Sequence, residues 1–304
     1  MILYLHQDIK SSVNPTPAIN FNLTSTMSLF NSNSEEVTRK LIAECHDVNE
    51  LRLETDYYDL PFSFQEDLGS VKAFIEADVL LDGRSGKSAN TMLHLPKKGE
   101  VIREVIAAGA DVNVRNKDGK TPLHLSRDPE TVKAFIKAGA DVNAKDKLEN
   151  TPIYYQTNDE SVRLLVKAGA DVNHQNMEGE TPLHTVKDFE LMKTLIRSGA
   201  DVNVKNQYND TPLHCRSDLK SIQLLVDAGA DVNAKNNRGT SILHIVYTDP
   251  EVRFIIDAGG DVDSKDNRGY APIDFNEAVQ RVINGEYDDY EDESLCLCKH
   301  CGGC

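Results

Sequence analysis

The chain has 304 residues and carries 33 Lys and Arg against 49 Asp and Glu, a formal net charge of −16. That balance argues against general nucleic-acid binding, which needs a basic surface to neutralise phosphates, and against attachment to anionic membranes. No stretch has the length and apolarity of a transmembrane helix, and Met1–His6 lacks the basic leader and long apolar run of a secretory signal, so a cytoplasmic protein, or one exported by an unseen route, is expected.

Residues 1–33 are rich in Ser, Asn and Thr and read as a disordered leader, with Met27 as an alternative start close to the first patterned segment. At 34–59 the run Leu41-Ile42-Ala43-Glu44-Cys45-His46-Asp47-Val48-Asn49 imitates a helix end and its following loop, as a half-unit cap would. From residue 60 the chain repeats itself every 30 residues, in units 60–90, 91–120, 121–150, 151–180, 181–210, 211–240 and 241–270. Thr-Pro-Leu-His stands at 121–124, 181–184 and 211–214, with variants at 91–94, 151–154, 241–244 and 271–274 and a distant copy at Leu60-Pro61-Phe62-Ser63. Gly-Ala-Asp-Val-Asn recurs from Gly109, Gly139, Gly169, Gly199 and Gly229, then as Gly-Gly-Asp-Val-Asp from Gly259. A C-terminal cap is expected at 271–285, followed by an acidic, cysteine-rich tail at 286–304. A repeat at this period predicts a solenoid that grows as one body, each unit burying its apolar face against its neighbours.

The unit 121–150 shows the local logic. Thr121 suits a helix N-cap and Pro122 the first helical position, predicting a short helix through about Arg127. Asp128-Pro129-Glu130 is a second cap-plus-proline start, and Val132, Phe135 and Ile136 form a one-sided apolar stripe. Gly139 predicts a left-handed helix end, and Asp141 to Asn150 a loop and tight turn. Three apolar columns run through the second helices: Ile102, Val132, Val162, Met192, Ile222, Val252; Val105, Phe135, Leu165, Leu195, Leu225, Ile255; and Ile106, Ile136, Val166, Ile196, Val226, Ile256. Val71 to Ile75 aligns with Val132–Ile136.

These two motifs in fixed register resemble the ankyrin repeat over roughly residues 34–285. The resemblance implies an all-α ankyrin-repeat solenoid of stacked helix–turn–helix units with hairpin-like fingers. The period of 30 falls short of the usual ~33 residues, the deficit lying between the two helices of each unit. Such compact repeats resemble those of ankyrin proteins in obligate intracellular bacteria.

The motif histidines His94, His124, His184, His214 and His244 invite a metal or acid–base ladder, but Tyr154 and Asp274 fill the same slot. The resemblance implies a structural hydrogen bond to the loop of an adjoining unit. Asp111, Asp141, Asp171, Asp201, Asp231 and Asp261 are equivalent, whereas acid–base catalysis needs two carboxylates in different environments, so loop capping is expected. No catalytic frame emerges and no enzyme is expected. Cys296, Cys298, Cys301 and Cys304 lie within nine residues and present a candidate site for zinc or copper(I); lipidation of Cys301-Gly-Gly-Cys304 and an inert thiol tail are the alternatives. Cys45 and Cys215 have no evident partner.

In ankyrin scaffolds partners bind the finger tips and the exposed side of the first helix. Carried onto this chain, the partner-binding set is Arg115, Lys117, Lys145, Lys147, Tyr155, Met177, Lys205, Tyr208, Lys235, Arg238, Lys265 and Arg268. Leu125, Leu148, Gln175, Thr185, Gln207, Cys215, Asn237, Ile245, Asn267, Tyr270 and Phe275 share those register positions. The cations read as one basic ridge on an acidic chain, with Tyr155, Met177 and Tyr208 as an apolar centre. A monomeric, non-catalytic protein-binding scaffold is expected, in its sharper form a bacterial effector acting on a host protein. The alternative is a metal- or redox-responsive protein acting through the cysteine tail.

Overall fold

In the computed structural model the described residues are 34–44, 65–84 and 87–286. The leader, Cys45, Leu60–Ser63 and the tail cysteines lie outside them. Among the described residues there are helices and no β-strand. The longer helices, labelled in chain order, are α1 (Glu35–Glu44), α2 (Leu68–Glu76), α3 (Gly99–Ala107), α4 (Pro129–Lys137), α5 (Asp159–Lys167), α6 (Phe189–Arg197), α7 (Leu219–Asp227), α8 (Asp249–Asp257) and α9 (Glu277–Asn284). Ahead of each helix from α3 to α9 lies a single helical turn, such as Pro122–Leu125 before α4.

Sequence chemistry accounts for these elements. The carboxylate of Asp128 accepts the Thr131 N–H at 3.0 Å, and Pro129 opens α4 where no backbone donor is needed. Asp67, Asn158, Asp188, Asp218 and Asn276 cap α2, α5, α6, α7 and α9 in the same way. Gly139 ends α4 at φ +84°, where its N–H reaches the Ile136 carbonyl and the Ala140 N–H reaches that of Phe135. The first helix is shorter than expected: it stops at Leu125, and Ser126 is already extended (φ −81°, ψ 127°). With Asp128 committed to capping α4, Ser126 and Arg127 must span the gap, so only one turn fits.

The chain divides into two units, Met1–Asp201 and Val202–Cys304. In the N-terminal unit α1 packs on α2, α2 on α3, α3 on α4, α4 on α5 and α5 on α6. Phe74, Ile102, Val105, Val132, Phe135, Leu165 and Met192 are buried along that stack. In the C-terminal unit α7 packs on α8 and α8 on α9 around Ile222, Leu225, Val252, Ile255 and Val279. The first two apolar columns are buried at every rung, but the third, Ile106 to Ile256, is only half-buried throughout. It sits ~100° around each helix from the second column, at the edge of the stacked face.

The ends are capped by polar pairs. On α1, Thr38 Oγ1 donates to Ser70 Oγ at 2.9 Å, and Arg39 pairs with Glu35 and Glu76. A Cβ at Gly69 would lie 2.8 Å from Glu35 Cβ, so the close approach of α1 to α2 needs glycine there. On α9, Arg281 Nη2 meets Asp249 Oδ1 at 2.6 Å.

Candidate protein-binding surface

The motif histidines build the frame behind the surface. The Thr121 N–H donates to His124 Nδ1 at 3.0 Å, which leaves the ring proton on Nε2, and Nε2–H donates at 3.2 Å to the carbonyl of Asn150, the last residue of the same 30-residue unit rather than one in an adjoining unit. His94 bonds Thr91 and Lys120, His214 bonds Thr211 and Thr240, and His244 bonds Ser241 and Tyr270 in the same pattern. Tyr154 substitutes by donating its hydroxyl to the Glu180 carbonyl at 2.7 Å and also to that of His174. At Asp274 only the local half survives: its carboxylate accepts the Ala271 N–H at 2.7 Å. Burial holds the His124 pKa down at about 4 and lowers those of His94, His214 and His244. Neutral rings fixed in one tautomer at both nitrogens are struts.

The loop aspartates act as expected. Asp111, Asp141, Asp171, Asp231 and Asp261 each accept at Oδ1 from the N–H two residues on, at 2.8–3.0 Å. Sequence reading missed the residue beside them. Asn143 Nδ2 donates to the Gly169 carbonyl at 2.9 Å, while its Oδ1 accepts the Asp171 N–H at 2.9 Å. Asn113, Asn173, Asn203 and Asn233 repeat this two-way clasp on the next repeat. The available signal was the invariant offset of Asn from Gly within the repeat, continued until Asp263 replaces it.

A second set of Asx side chains shapes the fingers. Asn116 Oδ1 accepts the N–H groups of Asp118 and Lys120, and Asp146 Oδ1 those of Leu148 and Asn150. Asn236 and Asp266 do the same further on. Backbone bonds then tie neighbouring tips together. In the N-terminal unit Lys117 N–H donates to Ser88, Lys147 N–H to Asp118 and Met177 N–H to Leu148. In the C-terminal unit Asn237 N–H donates to Tyr208 at 2.8 Å and Asn267 N–H to Arg238 at 3.0 Å.

Eleven of the twelve expected partner-binding residues are exposed, Tyr155 being half-buried. Its hydroxyl donates to Asp146 Oδ2 at 2.5 Å, its ring carries Lys120 Nζ at 4.2 Å, and burial together with Asp146 pushes its pKa up to about 12. Met177 and Leu148 are 63% and 60% exposed side by side in the N-terminal unit, and Tyr208 is 57% exposed in the C-terminal unit. Several cations already serve the fingers. Arg115 donates to the Lys145 carbonyl, Lys145 pairs with Glu149 at 3.1 Å, Lys235 donates to the Lys265 carbonyl at 2.9 Å, and Arg268 pairs with Asp266 at 3.2 Å.

The cations are also unevenly matched by acids. Tip positions 115–119, 145–149 and 175–179 hold Arg115, Lys117, Lys145 and Lys147 against the exposed Asp118, Glu149 and Glu178 and the buried Asp146, which cancel in number. Tip positions 205–209, 235–239 and 265–269 hold Lys205, Lys235, Arg238, Lys265 and Arg268 against Asp266 alone, whose side chain is only 1% exposed. The basic ridge read from the sequence is therefore concentrated in the C-terminal unit.

The family profile described as Ankyrin repeats (3 copies) matches residues 125–206 and again 153–236. Residues 125–236 thus match the ankyrin-repeat profile. Among solved structures, the ankyrin repeat domain of Bcl-3, titled a unique member of the IkappaB protein family, is 25% identical with a TM-score of 0.54, over 62% of this chain and 92% of that one. No curated protein matches the chain in sequence. The ankyrin fold is thus carried by both sequence profile and backbone geometry. Among the described residues no group of three His, Cys, Asp or Glu is placed to hold a metal, and no helix is long and apolar enough to cross a membrane.

Proposed function

We propose that the chain is a non-catalytic protein-binding scaffold whose C-terminal finger row takes an acidic segment of its partner. The observation that carries this reading is the row of Lys205, Lys235, Arg238, Lys265 and Arg268, with one shielded carboxylate among them and with tips held in register by backbone bonds. A rigid cationic row of this kind steers acidic partners by charge and loses affinity in salt. Tyr208 and Tyr270, 57% and 54% exposed, add amphipathic contact area beside the cations. The compact repeat supports the further reading that the partner is a host protein met by a bacterial effector.

The test is affinity capture from cell lysate with the full chain and with Arg238→Asp/Arg268→Asp. The variant should lose its acidic captured partners while keeping its helical circular dichroism. Partners retained at equal yield would place binding elsewhere.

A further inference from the structure

Every repeat of the C-terminal unit sends its chain from a left-handed glycine to its finger by the same route. Gly229 and Gly259, both at φ +93°, are followed six and nine residues on by Lys235 and Arg238, and by Lys265 and Arg268. The helix ends match in detail: Gly259 N–H donates to Ile256, and Gly260 N–H to Ile255. Helix α9 closes identically. Gly285 stands at φ +70°, its N–H donates to Val282, and the Glu286 N–H donates to Arg281 at 2.9 Å. The chain therefore leaves α9 in the direction that leads every preceding repeat to its finger.

Beyond Gly285 the charge is reversed. Glu286, Asp288, Asp289, Glu291, Asp292 and Glu293 fill this stretch, and Glu291 stands six residues past that glycine, the place of Lys235 and Lys265 in the two preceding fingers. The finger before it pairs Arg268 with Asp266 but leaves its other cation unmatched. Lys235 Nζ reaches the Lys265 carbonyl thirty residues on, whereas the Lys265 ammonium has no hydrogen-bond or ion-pair partner among the described residues.

We propose that segment 286–293 docks as an acidic finger along Lys265 and Arg268, reaching towards Lys235 and Arg238, so that the chain carries its own competitor for the cationic row. Eight extended residues span ~26 Å, ample against the ~8–10 Å between packed helices of adjacent repeats. A tether this short raises the local concentration of carboxylates to the order of millimolar, so weak contacts suffice and salt weakens them. The proposal rests on the reading that this row takes acidic segments.

Two measurements on the full chain separate the proposal from that reading. Zero-length carbodiimide coupling at low salt, mapped in the monomeric fraction, should join Lys265 or Lys235 to carboxylates between Asp288 and Glu293. The links should vanish near 1 M salt, where screening acts within about 3 Å. Absence of the links from the monomer, or their appearance only in coupled dimers, overturns docking within one chain. The second measurement titrates a labelled peptide of residues 286–293 into the full chain and into the chain with Glu286→Gln, Asp288→Asn, Asp289→Asn, Glu291→Gln, Asp292→Asn and Glu293→Gln. The neutralised chain should bind at least about tenfold tighter, because its tethered competitor is gone. Equal affinity in both overturns the competition. Binding to neither, with the intramolecular links present, leaves docking in place and sinks the broader reading of the row.

Discussion

The two units share one set of struts and differ in what their fingers display. Each has neutral histidines bonded to the last residue of their own repeat and asparagines clasping the next repeat's glycine and aspartate. On the tips, the N-terminal unit balances its four cations with Asp118, Asp146, Glu149 and Glu178, whereas the C-terminal unit sets five cations against Asp266 alone. The backbone bonds that register the tips need no particular side chain, so tip chemistry is free to vary while the scaffold stays constant. That separation lets one fold present two surfaces.

Exchanging the tip charges should produce the largest effect. Arg238→Asp/Arg268→Asp gives the C-terminal row as many acids as cations, and Asp118→Arg/Glu178→Arg gives the N-terminal row the excess it lacks. Binding of an acidic peptide, followed by fluorescence anisotropy at low salt, should fall at least about tenfold in the first variant and rise in the second. Unchanged affinity in both would mean that tip charge does not distinguish the units.

Acid should weaken the struts of both units. The folded-state pKa of His124 is held near 4, below the ~6.5 of an unfolded histidine, so the neutral ring stabilises the fold fully above pH 6.5. That contribution is lost as pH falls towards 4 and amounts to about 3 kcal/mol at the limit for this ring. His94, His214 and His244 are shifted in the same direction. Melting temperature should drop between pH 7 and pH 5, with a shallower slope in His124→Gln. A flat profile in the parent chain would contradict the neutral-strut assignment.

Removing one strut at neutral pH should cost somewhat less. His124→Ala strands the Thr121 N–H and the Asn150 carbonyl, for a loss of about 1–3 kcal/mol in urea unfolding. His214→Ala should behave alike, since its two bonds are at 3.1 Å. A difference above ~1 kcal/mol between them would show that the two units are not equally braced.

The smallest effect concerns the finger turn. The residue there is left-handed in both units: Gly119, Glu149 and Gly179 in one, Asn209, Gly239 and Gly269 in the other. Glu149 at φ +60° bears the steric penalty of its Cβ, so Glu149→Gly should stabilise the fold by up to about 1 kcal/mol. Asn209→Gly should gain less, because asparagine tolerates that conformation. Gly239→Ala should destabilise, since its Cβ would lie 2.6 Å from Asn267 Oδ1 and 2.8 Å from Asn267 N. Equal melting temperatures for Glu149→Gly and the parent would show that the turn relaxes around the side chain.

The sequence by itself determined the ankyrin fold, the cap-plus-proline helix starts, the left-handed glycines and the structural role of the histidines. Each of these rests on local stereochemistry or on an offset that recurs every 30 residues, and both can be read in one dimension. Tertiary structure alone decided which apolar column lies at the edge of the stack, that Tyr155 is anchored on Asp146, and that Arg115 and Lys235 commit donors to the next finger. It also showed that Asp266, unlike Glu149, is shielded. A residue count gives the charges on a finger, but their availability to a partner depends on which of them the neighbouring repeat has already engaged.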